Sequence, residues 1–237
     1  VIIPRKIHIS WKTKDLLQSE SRFVRNCIGR LVQLSPNWTV EISDDGDLDD
    51  YLRVKLDASD YSRLKHCHPV VKSDVWRLIK LYEEGGLYVD IDRLCNVSLD
   101  SVIDHKAMMV LPICAGRDFS HDFMCSAPGN PIFTTALGLN LKRRAEGSNN
   151  TYFLGPQTYF HAVTINLLGE MVDINPGEQA FGLIRKRISE CGFIQTYDEV
   201  PPYDTILYRP ELDQIDHEFE KRQFYREFKL KHWTGDW

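Results

Sequence analysis

Strands alternating with amphipathic helices predict an α/β fold around a central sheet with crossover connections, and three stretches carry that expectation. Residues 5–10 and 38–43 read as strands on either side of a helical stretch, 21–34. Val75, Leu78, Ile79 and Tyr82 recur at i, i+3, i+4 and i+7, the apolar stripe of a helix packed on a sheet. Gly85-Gly86 then ends that helix where a left-handed residue is needed, and Leu87-Tyr88-Val89 supplies a short buried strand.

In chain order, the helix over 21–34 stops at Ser35-Pro36, and Trp38 to Ser43 forms the second strand. Asp44-Asp45-Gly46-Asp47 superficially resembles a calcium loop, but it lacks the spaced ligands and terminal Glu of an EF-hand. It reads as a turn and helix cap. Helices are expected over 47–56, 59–65 and 70–84, strands and irregular segments over 87–126, and helices over 131–145 and 156–168, before a mixed carboxyl region. Arg117–His121 and Ala145–Asn150 read as loops, and no internal repeat is visible.

A chain of 237 residues with 43% hydrophobic and 27% charged residues suits one domain, 1–237, with one sizeable core. The net charge of −5, without a long basic run, argues against nucleic acid as a partner. No apolar run reaches the ~18–20 residues of a membrane span, and VIIPRKIHIS lacks the pattern of a signal peptide. The six cysteines show no C-x-x-C pair and read as thiols, and His66-Cys67-His68 lacks further zinc ligands at suitable spacing. A glycan on the sequon at Asn96 would crowd Asp92, which favours a compartment without N-glycosylation.

Asp90 and Asp92 follow the 87–89 strand, at the end where open α/β sheets place ligands. On an extended strand, alternate side chains share a face at roughly 6.5 Å. Two carboxylates at that separation repel by roughly 2.5 kcal/mol at an effective dielectric of about 20. A hard divalent cation, Mn²⁺ or Mg²⁺, with phosphate-oxygen co-ligands would relieve that repulsion. Asp74 and Arg77 lie three apart on the preceding helix. They form either a local ion pair or a sugar-hydroxyl acceptor beside a guanidinium for a hydroxyl or phosphate oxygen.

The run Ser73-Asp74-x-x-Arg77, Leu81-Tyr82-x-x-Gly85-Gly86-x-Tyr88-x-Asp90-x-Asp92 resembles the signature of the DXD-containing, sugar-binding-region glycosyltransferases. That group includes yeast-type initiating α-1,6-mannosyltransferases, lactosylceramide α-1,4-galactosyltransferases and, more distantly, the glucosylating clostridial toxins. Ile3-Pro4-Arg5-Lys6-Ile7-His8-Ile9-Ser10-Trp11 is similar to the family's opening strand, with Arg5 for the usual Lys. Looser matches are Phe123-Met124-x-Ser126-x-Pro128-Gly129-x-Pro131, Gly155-Pro156 and His232-Trp233-x-Gly235-x-Trp237. Asp236 departs from the family's Gly-Ser-Trp ending.

The resemblance implies the GT-A nucleotide-sugar fold, with a mixed, mainly parallel sheet. It implies a retaining, metal-dependent transfer of a hexose from a nucleotide diphosphate sugar, UDP-hexose before GDP-mannose, to a glycan, glycolipid or protein hydroxyl. Asp92 would contact the metal, and Asp90 would bind ribose or reach the metal through water. Asp74 and Arg77 would hold the donor sugar, with Tyr88 beside them. Ile7, His8 and Trp11 would line the nucleobase pocket, His232 would add a metal or diphosphate contact, and Trp237 would close over the donor. No isolated nucleophile stands out, so retention is expected by front-face attack. The expected setting is a bacterial or viral host cytosol, or the Golgi lumen if an amino-terminal anchor has been removed.

Other classes fit less well. A haloacid-dehalogenase-type phosphatase expects Thr or Val where Leu94 stands. A glycoside hydrolase needs two carboxylates of unlike acidity and neither metal nor nucleotide. A non-catalytic carbohydrate- or nucleotide-binding scaffold would not require the paired acids Asp90 and Asp92.

Overall fold

The structure, a computed structural model, describes residues 2–18, 21–95, 97–114, 118–173, 176–198, 205–206 and 217–227. Its elements run β1 (Lys6–Ser10), α1 (Arg22–Leu34), β2 (Thr39–Ser43), α2 (Asp45–Lys55), α3 (Ala58–Leu64), α4 (Pro69–Glu84), β3 (Gly86–Val89), β4 (Leu94–Cys95), α5 (Leu99–Val102) and β5 (Met109–Cys114). They continue with β6 (Asp118–Phe119), β7 (Phe123–Ser126), α6 (Pro131–Ala145), α7 (Thr151–Leu154), α8 (Pro156–Leu168), α9 (Glu178–Cys191), β8 (Ile194–Asp198), β9 (Thr205–Ile206) and α10 (His217–Glu227).

Local chemistry explains most boundaries. Ser21 caps α1 by accepting from the Val24 amide, and Asp44 and Asp47 form a reciprocal capping box at the start of α2, as the acidic turn suggested. Pro69, Pro131 and Pro156 occupy first-turn positions, where a missing N–H costs nothing. α6 and α8 coincide with the expected ranges, while α9 lies in the region that pattern alone left mixed.

The main sheet is mixed. β1 pairs in parallel with β2 and with β3, and β5 with β8, whereas β7 runs antiparallel to β3 and β5. The two five-residue ladders, β1/β2 and β5/β8, are both parallel. β5 meets β7 at Met109 and Val110 and β6 at Ile113 and Cys114, so β7 and β6 share one of its edges and β8 takes the other. β6 corrects the expectation of a loop over 117–121: Asp118 and Phe119 fold back on β5, and Arg117 lies outside the described residues.

Side-chain alternation sorts the core onto the two faces of this sheet. Ile7, Ile9, Leu87, Val89, Val110, Phe123 and Cys125 pack with α1, while Tyr88, Met109, Leu111, Ile113 and Met124 pack with α4, α6, α8 and α9. Among the described residues, no helix is long and apolar enough to cross a membrane.

Candidate active site

Helix α4 and strand β3 form a tight hairpin through Gly85 and Gly86. Both glycines have positive φ, 66° and 95°, and an added Cβ would lie 2.7 Å from Pro128 N at Gly85 and 2.6 Å from Lys6 O at Gly86. The two arms match in length. Asp74, eleven residues before the turn, lies about 16 Å back along the helix. Asp90, five residues after Gly85, lies about 16 Å along the strand. They therefore meet at the carboxyl ends of β1 and β3.

Arg77 joins the two arms. Its Nη2 lies 3.1 Å from Asp74 Oδ1 and 3.7 Å from Asp90 Oδ1, and its Nη1 donates to the His121 carbonyl at 2.8 Å. The guanidinium carbon sits 4.0 Å from the centre of the Tyr88 ring, a cation–π contact in a dry setting. Tyr88 in turn donates to Asp90 Oδ1 at 2.5 Å. Burial pushes the Asp74 carboxyl up to about 6, with Arg77 and Arg144 pulling it back. His121 is held well below its ordinary value by burial and by Arg77, so its imidazole is neutral. Asp74 and Arg77 therefore form a local ion pair that is buried and lines the site's cavity.

The D-x-D departs from the strand geometry expected for it. β3 ends at Val89, and Asp90 to Arg93 form a turn closed by the Arg93 amide on the Asp90 carbonyl at 3.1 Å. Asp90 faces α4, whereas Asp92 faces α10, with Lys221 Nζ 3.0 Å and the Tyr225 hydroxyl 3.4 Å from its Oδ2. The rule that alternate residues share a face fails because the backbone turns between them.

A third carboxylate completes the group. Val89 pairs with Phe123, and the Asp90 amide donates to the Asp122 carbonyl at 3.0 Å, so Asp122 stands opposite Asp90. Arg93 grips Asp122 bidentately, Nε to Oδ2 at 2.9 Å and Nη2 to Oδ1 at 2.8 Å. Burial pushes Asp90 upward, Arg77 opposes it, and Asp92 and Asp122 add to the rise. Burial also works on Asp122, but the Arg93 guanidinium outweighs it and holds that acid down. The Asp90 side chain keeps 36% of its surface exposed, so solvent relieves part of this crowding.

These groups border a cavity of about 580 Å³, the size of a small-ligand site. Trp11, Asp74, Arg77, Tyr88, Asp90 and Asp92 all line it. Ile7 and His8 do not, which corrects their expected place in a base pocket. Ile7 points to the α1 face of the sheet, and His8, fully buried, lies 2.9 Å through Nε2 from the Gly85 carbonyl and meets the edge of Trp76. His232 and Trp237 lie outside the described residues. Asp90, Asp92 and Asp122 line this cavity with oxygen donors, the ligand chemistry of Mg²⁺ or Mn²⁺, although their oxygens do not all lie within 4.8 Å of one another in this structure. Among the described residues, His8, Glu41 and Glu84 are the group whose ligand atoms do lie that close, but Lys80 pairs with both glutamates and Lys6 with Glu84 at 3.0 Å.

Asp122, Arg93, Lys221, Tyr225 and Gly155 were not singled out for the site from the sequence. Only Gly155 left a trace, as part of Gly155-Pro156. A Cβ there would lie 2.7 Å from Asp74 Oδ2, so the glycine admits the carboxylate against the start of α8. Gly155→Ala is expected to destabilise the fold by about 1–3 kcal/mol. Gly138→Ala in α6, where an added Cβ meets nothing within 4 Å, is expected to be neutral or stabilising by up to about 1 kcal/mol. Urea unfolding of both variants checks the contrast.

A family model described as glycosyltransferase sugar-binding region containing DXD motif matches residues 21–109. Inositol phosphoceramide mannosyltransferase 1 of Schizosaccharomyces pombe is 28% identical over 160 residues, 67% of this chain and 47% of that protein. Inositol phosphoceramide mannosyltransferase 2 of the same yeast is 30% identical over 152 residues, 61% of this chain and 40% of that protein. The chain thus spans less than half the length of these curated relatives. Among solved structures, PaToxG glycosyltransferase is similar at a TM-score of 0.51 and 21% identity, covering 97% of this chain and 86% of that one. That likeness concerns the fold, and it agrees with the GT-A architecture. Residues 21–109, which carry the D-x-D and the helix before it, are thus similar to the glycosyltransferases whose sugar-binding region contains a DXD motif.

Proposed function

We propose that the chain is a metal-dependent, retaining glycosyltransferase that moves a hexose from a nucleotide diphosphate sugar to an acceptor hydroxyl. One observation carries the reading: Arg77 ties the Asp74 carboxylate to the D-x-D turn inside a single cavity. Sugar-binding and diphosphate-binding chemistry are then within one ligand's length of each other.

In this reading Asp74 accepts hydrogen bonds from donor-sugar hydroxyls and Arg77 donates to a hydroxyl or phosphate oxygen. Trp11, at the cavity's edge, stacks on the base. Asp92, Asp90 and Asp122 would hold the divalent cation. Bound there, it supplies positive charge against the diphosphate as the glycosidic bond breaks. Front-face attack keeps the anomeric configuration, with the departing phosphate taking the acceptor's proton. Each of Asp74 and Asp122 is engaged by a guanidinium, which supports that route over a covalent one.

The names of the relatives shift the order in which donors are tested. Both are called inositol phosphoceramide mannosyltransferases, so a mannosyl nucleotide such as GDP-mannose comes before UDP-hexoses, and a polyol head group on a lipid before other acceptors. Titration calorimetry of GDP and UDP, with and without Mn²⁺, is the test. Binding of one nucleoside diphosphate that depends on Mn²⁺ is the expected result. Absence of binding by either would overturn the reading and leave a carbohydrate-binding scaffold.

A further inference from the structure

Helix α10 reaches into the rim of the cavity and presents two groups to one oxygen. Lys221 Nζ lies 3.0 Å and the Tyr225 hydroxyl 3.4 Å from Asp92 Oδ2, and their i, i+4 spacing puts both on one helix face. The ion pair is well enclosed, with 14% of the Lys221 side chain and 13% of the Asp92 side chain exposed. Water therefore screens it little.

A divalent cation on Asp92 would sit about 2.0–2.6 Å from its oxygen. An ammonium on the same carboxylate would then face a double positive charge at contact range. The helix itself is anchored. Phe224 is 3% exposed, its ring 5.4 Å from that of Phe23 and 6.1 Å from that of Trp11. The flexible four-carbon stem of lysine lets its ammonium be re-aimed without moving the packed backbone. The neighbouring acid, Asp122, is already gripped bidentately by Arg93. A phosphate oxygen of the ligand supplies a compensating anion of the right chemistry.

Resting on the nucleotide-sugar reading above, we propose that Lys221 binds the donor diphosphate. It pairs with Asp92 in this structure and with a phosphate oxygen in the ternary complex, where the divalent cation takes Asp92. Lys221 thereby makes cation and diphosphate bind together better than either alone. It also places a second positive charge on the leaving group, where negative charge grows as the glycosidic bond breaks.

Calorimetry of Lys221→Met, which keeps the stem and removes the charge, tests this with Mn²⁺ alone and with GDP or UDP at saturating Mn²⁺. Mn²⁺ alone is expected to bind the variant more tightly than wild type. The nucleoside diphosphate is expected to bind at least about tenfold more weakly, with Lys221→Arg restoring most of that loss. Thermal unfolding of each variant reports folding separately. Changes of the same sign in both titrations, or no change in either, would overturn the assignment, since a merely structural role weakens both. A wild type that binds no nucleoside diphosphate at all would instead overturn the nucleotide-sugar reading, and this assignment with it.

Discussion

Arg77→Met is expected to lower the free energy of unfolding by roughly 3–5 kcal/mol, the penalty of leaving buried acids without their counter-charge. Arg77 is 5% exposed and Asp74 4%, and the guanidinium also serves Asp90, the His121 carbonyl and the Tyr88 ring. Methionine fills much of the volume and none of those roles. The deficit carries a pH signature. Burial already raises Asp74 to about 6 with Arg77 present, and removing the guanidinium raises it further. An acid whose folded pKa exceeds its unfolded one binds more protons when folded across that window, so stability falls as pH rises through it. The variant's deficit is therefore full at alkaline pH and shrinks as acid protonates Asp74. Urea unfolding at neutral and mildly acidic pH measures both effects, and a deficit independent of pH would contradict the pairing.

Asp92→Asn is expected to shift the balance, with a smaller loss of stability than Arg77→Met, from leaving the enclosed Lys221 ammonium unpaired, and a larger loss of binding. Its carboxylate meets the chain through Lys221 and Tyr225 at the cavity rim, away from the α4 contacts of Asp90. Asparagine keeps the size and an acceptor oxygen while losing the charge that a hard cation requires. Mn²⁺-dependent binding of the nucleoside diphosphate should fall by on the order of 100-fold or more, a loss of about 2.7 kcal/mol or more. The unfolding midpoint should fall by less than in Arg77→Met. Calorimetry alongside thermal unfolding separates these outcomes. A variant that binds as wild type would remove Asp92 from the metal set.

The α4–β3 hairpin was readable because its determinants are local. An apolar stripe at helical spacing, a glycine pair and a short apolar run occupy fifteen consecutive positions, 75–89. Asp122 was not readable, since its place beside Asp90 depends on β7 pairing with β3 across more than thirty residues. Ile7 and His8 show a different limit. The strand was found, but period-2 alternation says only that neighbours face opposite ways, and the register against Leu87 and Tyr88 decides which way is inward to the site. Asp92 lines the cavity, but a turn rather than a flat strand presents it. α10 was hidden among the charged residues of 217–227, whose one deeply buried apolar anchor is Phe224.

The Gly85-Gly86 turn makes the site behave as a caliper with two jaws of equal reach. Dropping one residue from the helical jaw would retract its tip by about 1.5 Å and swing it about 100°. Dropping one from the strand jaw would shorten it by about 3.3 Å and turn Tyr88 and Asp90 to the opposite side. The gap of sixteen positions between Asp74 and Asp90 is thus a mechanical dimension of the protein. Loops elsewhere on the chain can lengthen without touching it, whereas no insertion between these two acids leaves the gauge unchanged.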